Sequence, residues 1–336
     1  MCIRDRGAGT AAGFYDDEYA KNGATITSRD QIFQSSDVIL QVRAMPADPK
    51  LRQGQAVIGF ADPLGVPQEI QNAAGTGITL FAMELMPRIT RAQSMDALSS
   101  MATVTGYKGV LLVADALPRM MPMLMTAAGT IRPGKVLILG AGVAGLQAIA
   151  TARRLGAKVE AFDVRPAVKE QIESLGASFI EMEEEVSGEG EGGYAKELSE
   201  DQHQKELELI ATHISDTDLV ITTAQIPGKP APELITKAMG ESMEAGSVII
   251  DLAASTGGNC RLTREGETVV VNGVKIIGPA NLPSEIPVHA SQMFSKNVET
   301  LLKELVQEGE LSLDFSDEVL AGTCVSHAGE IKHALT

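Results

Sequence analysis

The segment Gly140-Ala-Gly-Val-Ala-Gly145 carries three glycines at the spacing with which a backbone binds a pyrophosphate. The apolar run Lys135–Leu139 before it predicts a strand, and the apolar positions after it predict a helix. Gly140 then permits the tight turn, Gly142 lets the phosphates approach, and Gly145 lets helix and strand pack closely. The helix N-terminus offers unpaired N–H groups. The pattern predicts a dinucleotide-binding turn, with a Rossmann domain that has lost its ligand as the alternative.

Asp163 ends the next predicted strand, 18 positions after Gly145. A carboxylate at this strand end accepts hydrogen bonds from the adenosine ribose hydroxyls of NAD, and it repels the 2′-phosphate of NADP. Arg165 is the counter-signal, because a nearby arginine accommodates that phosphate. We give the carboxylate the greater weight and predict that the nucleotide is NAD(H).

A second group of polar side chains has the chemistry to bind a carboxamide and a ribose. Arg88 and Gln93 fall in a predicted polar loop. Asp96 and Ser99, three positions apart, share one face of a helix predicted to begin at about Ser94, which caps it. The alternative is helix capping beside a solvated arginine, and the spacing alone favours it. The positions expected to face the core are Met95, Leu98, Met101 and Ala102.

The segment Glu181–Asp201 holds nine carboxylates and one lysine, with glycines interspersed. Segments of this length inside a compact domain are typical of lids or linkers. A solvated acidic insertion explains the composition equally well.

Short apolar runs alternate with amphipathic stretches, which predicts an α/β fold with parallel sheets. We expect a first domain of residues 1–98 with 284–336, and a doubly wound second domain of residues 99–283. A long helix at about His289–Gln307 returns the chain to the first domain. The predicted strands are Ala24–Thr27, Asp37–Val42, Gln55–Phe60, Gly77–Ala82, Lys135–Leu139, Val159–Asp163, Ser178–Met182, Leu219–Ala224, Ser247–Leu252, Thr268–Val271 and Lys275–Ile277.

Composition narrows the possible partners. The net charge of −16 repels phosphate backbones, so we expect no nucleic acid partner. The three cysteines are far apart and indicate free thiols in a reducing compartment, with no metal site. The longest uncharged run, Val136–Ala152, is short for a membrane span and contains the glycine turn. With no signal peptide visible, we expect a cytoplasmic or peripherally docked chain.

Four segments together resemble one family, the NAD(H)-binding component of proton-translocating NAD(P) transhydrogenases. The similarity extends from about Gly7 to the end of the chain. The segments that carry it are Met83-Glu-Leu-Met-Pro-Arg-Ile-Thr-Arg-Ala-Gln-Ser-Met-Asp96, Gly140-Ala-Gly-Val-Ala-Gly-Leu-Gln-Ala-Ile149, Thr222-Thr-Ala-Gln-Ile-Pro-Gly-Lys-Pro-Ala-Pro232 and Asp251-Leu-Ala-Ala-Ser-Thr-Gly-Gly-Asn-Cys260.

The resemblance implies a dimeric subunit of two Rossmann-like domains with NAD(H) in the cleft between them. It further implies a partner that binds NADP(H), mounted on a membrane-spanning proton channel, so that the cytoplasmic chain is peripheral on the inner membrane. The acidic segment 181–201 then corresponds to a mobile loop. The implied cofactor contacts are Arg88, Ile89, Thr90, Gln93, Ser94, Met95, Asp96, Ser99, Gly140, Gly142, Val143, Ala144, Gly145, Asp163, Val164, Arg165, Gly193, Tyr194, Ala224 and Gln225.

In such a family hydride passes directly between two nicotinamide rings, with Si/Re specificity. No proton moves at the reacting carbons, so no side-chain acid or base is needed. The resemblance therefore gives Arg88, Gln93 and Asp96 a positioning role at the nicotinamide.

The chain departs from the family pattern at three places. The family's first strand and helix are missing, replaced by Met1–Arg6, so we expect an N-terminally truncated first domain with no element before Gly7-Ala-Gly9. Gln225 stands where the family usually has leucine, and the usual proline before Ala334-Leu335 is absent.

Two rival functions remain. Alanine dehydrogenase has a related fold but needs a histidine and a lysine in its first domain. Here the matching segments are Ile39–Arg43 and Gly59–Leu64, and no histidine precedes His203. Arg43 does not lose its proton in a protein. A non-catalytic NAD-binding sensor is the other rival, although it has no need of Arg88, Gln93 and Asp96.

Overall fold

The computed structural model describes residues 2–45, 48–182 and 198–333. The chain divides into two compact units, Met1–Met101 with Ile286–Thr336 and Ala102–Glu285. The strands are β1 Ile3–Asp5, β2 Thr25–Thr27, β3 Val38–Arg43, β4 Ala56–Phe60, β5 Thr79–Ala82, β6 Leu124–Thr126, β7 Gly129–Ile131, β8 Lys135–Leu139, β9 Lys158–Phe162, β10 Ser178–Ile180, β11 Leu219–Thr222, β12 Val248–Asp251, β13 Thr268–Val271, β14 Val274–Ile277, β15 Val306–Gln307, β16 Glu310–Leu311, β17 Cys324–His327 and β18 Glu330–Ile331. The α-helices are α1 Asp16–Lys21, α2 Arg29–Ser35, α3 Pro67–Gly75, α4 Ala97–Ala116, α5 Val143–Arg154, α6 Lys169–Ser174, α7 Glu200–Ile214, α8 Lys237–Ser242, α9 Pro287–Leu305 and α10 Glu318–Thr323.

The unit Ala102–Glu285 is built on a seven-stranded sheet with the order β10-β9-β8-β11-β12-β14-β13. The described pairs are parallel, except that β13 runs antiparallel to β14. From β8 the chain goes to β9 and then β10 on one side, and from β10 it reaches β11 on the other side of β8. Strand order therefore reverses at β8, where open parallel sheets bind their ligands beyond the carboxyl ends of the strands.

Strand β8 shows why this sheet is covered on both faces. Val136 and Ile138 belong to one apolar core, and Leu137 and Leu139 belong to the core on the opposite face. Successive strand side chains alternate between faces, so a continuous apolar run indicates burial on both. Ala148, Ile149 and Ala152 of α5 pack into the first of these cores.

The other unit contains a five-stranded sheet with the order β18-β17-β5-β4-β3. Strands β3, β4 and β5 are mutually parallel, and β17 pairs antiparallel with β5. Phe294, Val298 and Leu301 of α9 pack in one core of this unit with Met95, at the end of the 3₁₀-helix Thr90–Met95. This packing sets the backbone of the Arg88–Ser99 segment.

Helix α4 has 20 residues and a mean hydropathy of 1.2, so by length and composition alone it qualifies as a membrane span. Its Val110 and Val113 are fully buried in the core of the unit Ala102–Glu285. The helix begins at Ala97, three residues later than expected, and the burial pattern moves with it. Ala97 is fully buried, whereas Leu98 is 38% exposed, so the prediction that Leu98 faces the core is wrong.

Two further expectations need correction. An element does precede Gly7, because β1 pairs in parallel with β2. The glycines that follow it lead into turns and the short 3₁₀-helix Thr10–Ala12. The sequence predicts a helix at about Pro232–Met243, but α8 is shorter and begins at Lys237, because Thr236 caps it by accepting a hydrogen bond from Met239 N.

Candidate functional site

The site in the unit Ala102–Glu285 lies where four parallel strands end together. The register places Leu139 of β8 beside Phe162 of β9 on one side and Thr222 of β11 on the other. Thr222 in turn lies beside Asp251 of β12. The residues that leave this edge are those of the glycine turn, Asp163 and the segment that begins at Thr223. The fold thus brings the predicted phosphate, ribose and Ala224 positions to one sheet edge.

The glycine turn has no room for side chains at two of its three glycines. Gly140 has φ +98°, and its N–H donates to Phe162 O at 2.9 Å. A Cβ on Gly145 would lie 1.9 Å from Gly140 O. Gly142 is the opposite case, because a Cβ there would meet no atom within 4 Å. The turn is therefore closed towards the sheet and open at Gly142, where a diphosphate needs space.

Helix α5 begins directly at this opening. Gly142 is its N-cap, and no described side chain caps the helix. The first N–H groups of a helix lack intrahelical acceptors, so those of Val143, Ala144 and Gly145 are available to an anion. A Cβ on Gly106 of α4 would lie 2.2 Å from Ala144 O, so α4 packs directly on the start of α5. Gly106 is a supporting position that sequence reasoning missed.

Asp163 is buried, and its carboxylate oxygens bind the glycine turn and Arg165. Its Oδ2 accepts from Ala141 N at 2.7 Å and from Arg165 Nη2 at 2.9 Å. Its Oδ1 accepts from the backbone N and from Nε of Arg165, each at 2.9 Å. The carboxylate therefore ties the glycine turn to the end of β9. Arg165 lies against Asp163, and this pairing neutralises the arginine charge that a 2′-phosphate would use.

The Arg88–Ser99 segment belongs to the other unit. Arg88, Gln93 and Ser94 are exposed, and Met95 is 2% exposed in the core. Asp96 Oδ1 accepts from Ser99 N at 2.8 Å, and its Oδ2 accepts from Ser99 Oγ at 2.6 Å. Asp96 and not Ser94 therefore caps α4, which corrects the predicted cap.

Gln93 is the exposed side-chain amide of this segment, and its neighbours contact the rest of the unit. Arg91 donates to Asp317 at 2.8 Å and lies 3.5 Å from Glu318. Ser94 O accepts from Asn297 Nδ2 of α9 at 2.9 Å. Ile89 is half-buried at the start of the 3₁₀-helix and Thr90 is exposed. A nucleotide reaching Met95 would meet its backbone, since the side chain is in the core.

Ala224 lies close to the glycine turn, and Gln225 beside it is exposed. A Cβ on Gly140 would meet Thr223 Oγ1 at 2.6 Å and Ala224 N at 3.1 Å. Val164 is half-buried. Gly193 and Tyr194 lie outside the described residues, and of the acidic segment 181–201 only its two ends are described.

Helix α7, which follows that segment, carries a buried carboxyl group. Glu206 is 4% exposed, and His203 Nδ1 lies 2.8 Å from its Oε2. Burial raises the pKa of Glu206, against the lowering effect of its hydrogen bond with His203. Ser199 caps the helix through a capping box with Gln202.

Family models match almost the whole chain. The alanine dehydrogenase/PNT N-terminal domain matches residues 2–105, and the C-terminal domain of the same family matches residues 109–334. An NAD(P) transhydrogenase alpha-subunit chain of Rhodospirillum rubrum is 46% identical over 347 residues, covering 99% of this chain and 90% of that protein.

The chain belongs to the family of NAD(P) transhydrogenase alpha subunits. A solved transhydrogenase structure from Sinorhizobium meliloti matches with a TM-score of 0.87 and 45% identity, over 98% of this chain and 90% of that one. The NAD(P) transhydrogenase subunit alpha of Haemophilus influenzae is 45% identical, and this chain spans 65% of its length. The predicted family and the α/β class with two Rossmann-like domains are confirmed.

Alanine dehydrogenases are more distant from this alpha-subunit chain. That of Mycolicibacterium smegmatis is 25% identical over 340 residues, and an L-alanine dehydrogenase structure matches with a TM-score of 0.80 at 24% identity. The latter likeness shows the shared fold alone. The alanine dehydrogenases are therefore only distant relatives of this chain.

Proposed function

We propose that this chain binds NAD(H) and exchanges hydride directly with NADP(H) held by a partner component. The observation that carries the proposal is the glycine turn, which is closed at Gly140 and Gly145 and open at Gly142. Its position at the β8 switch point, before an uncapped α5, fits a pyrophosphate. Membership of the transhydrogenase alpha-subunit family supports the reaction type.

Asp163 supports NAD(H) over NADP(H). Its two oxygens face Ala141 N and Arg165 and leave no net positive charge beside the strand end. The carboxylate already accepts four hydrogen bonds, which fill its lone pairs, so ribose hydroxyls would bind it by replacing side-chain donors of Arg165. A 2′-phosphate there would place a dianion beside a buried carboxylate, which costs free energy.

The bound nicotinamide supplies the hydride chemistry, and the protein positions it and excludes water. Gln93 has an exposed amide that matches the donor and acceptor of a carboxamide. Asp96 is held by its two bonds with Ser99, which keep its carboxylate in one orientation. Arg88 is the third positioning residue we assign. None of the three transfers a proton.

We assign the partners from the family to which the chain belongs. The NADP(H)-binding component and a membrane-spanning proton-channel component complete the enzyme, and the chain is peripheral on the cytoplasmic face of the inner membrane through them. A homodimer is supported by exposed apolar side chains at the hairpin β6–β7, namely Met125 (79%) in β6 and Met123 (56%) directly before it. Exposed apolar side chains that lie together on one hairpin are typical of an interface.

Hydride transfer tests the function directly. The purified chain is mixed with a transhydrogenase NADP(H)-binding component, NADH and oxidised NADP, and NADPH formation is followed. We expect transfer that neither component supports alone. NADH binding without transfer would instead favour a sensor module, and oxidation of NADH by pyruvate and ammonium would favour an alanine dehydrogenase. NADH deuterated on one face of C4 tests the Si/Re specificity in the same assay.

Gln93→Ala separates positioning from binding. The variant should slow hydride transfer at saturating NADH far more than it weakens NADH binding, because the amide orients the ring. Gln68→Ala, on the exposed surface of α3, is the matched control. A large loss of NADH affinity with unchanged saturated transfer would make Gln93 a simple binding residue.

Met125→Asp tests the proposed homodimer. A charge at this position should convert the dimer to monomer in sedimentation equilibrium, because a buried unpaired carboxylate opposes association. A wild-type chain that is monomeric, or a variant that stays dimeric, would exclude this hairpin as the interface.

A further inference from the structure

The segment Gly257-Gly-Asn-Cys260 carries a buried amide that no part of the proposed chemistry uses. Asn259 is fully buried and makes three side-chain hydrogen bonds to one loop. Its Oδ1 accepts from Ala224 N at 3.1 Å. Its Nδ2 donates to Ala224 O at 2.9 Å and to Pro232 O at 2.8 Å. One side chain thus holds both ends of the segment Ala224–Pro232.

The backbone around Asn259 supports the same segment from one side. Asn259 O accepts from Leu234 N at 2.8 Å and from Ile235 N at 2.9 Å. Ala231 N donates to Thr256 O at 2.8 Å. The 254–260 turn therefore forms the support on which the loop after β11 rests.

Asp251 in turn holds the 254–260 turn in place. Its Oδ2 accepts from Cys260 N at 3.0 Å and from Thr263 Oγ1 at 2.7 Å, and its Oδ1 accepts from Thr222 Oγ1 at 2.9 Å. A Cβ on Gly258, which has φ +82°, would lie 2.6 Å from Asp251 Oδ2. Gly258 and Asp251 together place Asn259 under the loop Ala224–Pro232.

We propose that Asn259 is a positioning residue for nucleotide binding, acting through the backbone of Ala224. This rests on the proposed NAD(H) function and goes beyond it, since Asn259 is fully buried and would act without contacting the nucleotide. Ala224 N lies 3.1 Å from where a Gly140 Cβ would be, so the loop forms one wall of the glycine turn. A shift of the loop changes the space available beside the pyrophosphate.

Asn259→Ala tests the inference, with Val274→Ala as the matched control. Val274 is fully buried at the amino end of β14, whereas the loop lies beyond the carboxyl ends of the strands, so its truncation lowers stability at the opposite end of the sheet. The readouts are the melting temperature, the NADH dissociation constant by calorimetry, and hydrogen exchange of peptides covering residues 224–232. The full chain is used throughout.

We expect Asn259→Ala to raise the NADH dissociation constant by about tenfold or more, and Val274→Ala to change it less than about twofold at a comparable loss of melting temperature. Exchange at residues 224–232 should rise in Asn259→Ala beyond the rise elsewhere in the unit, because Ala224 N loses its acceptor. Equal affinity losses in the two variants, or a uniform rise in exchange, would overturn the positioning role. A wild-type chain that binds no NADH would instead refute the function on which it rests.

Discussion

Two single-methyl substitutions in the glycine turn should have opposite consequences. At Gly145 an added Cβ would lie 1.9 Å from Gly140 O, and an ordinary contact needs about 3.4 Å, so helix and turn must separate by about 1.5 Å. At Gly142 the added Cβ meets nothing within 4 Å, and the backbone angles of φ −72° and ψ −169° suit alanine. Gly145→Ala therefore damages the fold, whereas Gly142→Ala fills open space.

The magnitudes follow from these distances. Overpacking against backbone costs about 3 kcal/mol, the upper part of the usual range. That cost lowers the melting temperature of a unit of this size by roughly 6–12 °C. At Gly142 the entropy gain of about 0.4–1 kcal/mol is offset by the poorer N-capping of alanine. The melting temperature should then change by less than about 3 °C.

Gly142→Ala should weaken NADH binding although it leaves stability almost unchanged. The Gly142→Ala methyl group occupies the space where we place the pyrophosphate, so NADH affinity should fall at least about tenfold, or about 1.4 kcal/mol. Scanning fluorimetry without ligand and calorimetric titration with NADH measure the two effects on the same samples. An unchanged NADH affinity in Gly142→Ala would refute the assignment of that space to the nucleotide. A fall in melting temperature equal to that of Gly145→Ala would refute the description of the turn as open.

Three further outcomes are expected. Asp163→Ala should weaken NADH binding by about tenfold or more in calorimetry, because it removes a charged acceptor and the bond to the glycine turn; unchanged affinity would contradict the ribose assignment. Burial raises the pKa of Glu84, so the folded state loses stability as pH rises through that pKa. Unfolding in urea should therefore show Glu84→Gln gaining stability relative to wild type between pH 4 and pH 8. Burial raises the pKa of Cys260 to about 11 and of Cys324 to about 12, so one thiol, the exposed Cys2, should react with maleimide at pH 8 before denaturation and three after it.

Local patterns predicted the elements around the glycine turn well. Strand β8 has the bounds expected from its apolar run, and α5 begins one residue after Gly142. Both elements are determined by residues that are adjacent in sequence. A buried strand is followed by glycines and then by alanine-rich helical positions. The start of α4 was misplaced because Ser94 and Asp96 are both good capping residues. Packing of Met95 into the core decided in favour of Asp96.

The candidate site could be predicted only in part, because only some of its residues carry a local signal in the sequence. Gly142 and Asp163 carry a spacing signal in the sequence, and their placement at one sheet edge follows from parallel pairing. Gly106 and Asn259 carry no such signal. Each acts through a close approach or hydrogen bonds to residues far away in sequence, so nothing local distinguishes them from other small or polar residues.

The residues alone determined that this chain has a glycine turn able to bind a dinucleotide and an acidic residue at the ribose position. Tertiary structure decided what those residues contact. It paired Arg165 with Asp163, gave Asp96 to the start of α4 and placed Asn259 beneath Ala224. Spacing along a chain limits which residues are able to meet, whereas the competition among hydrogen-bond partners is settled only when packing excludes water and brings distant segments together.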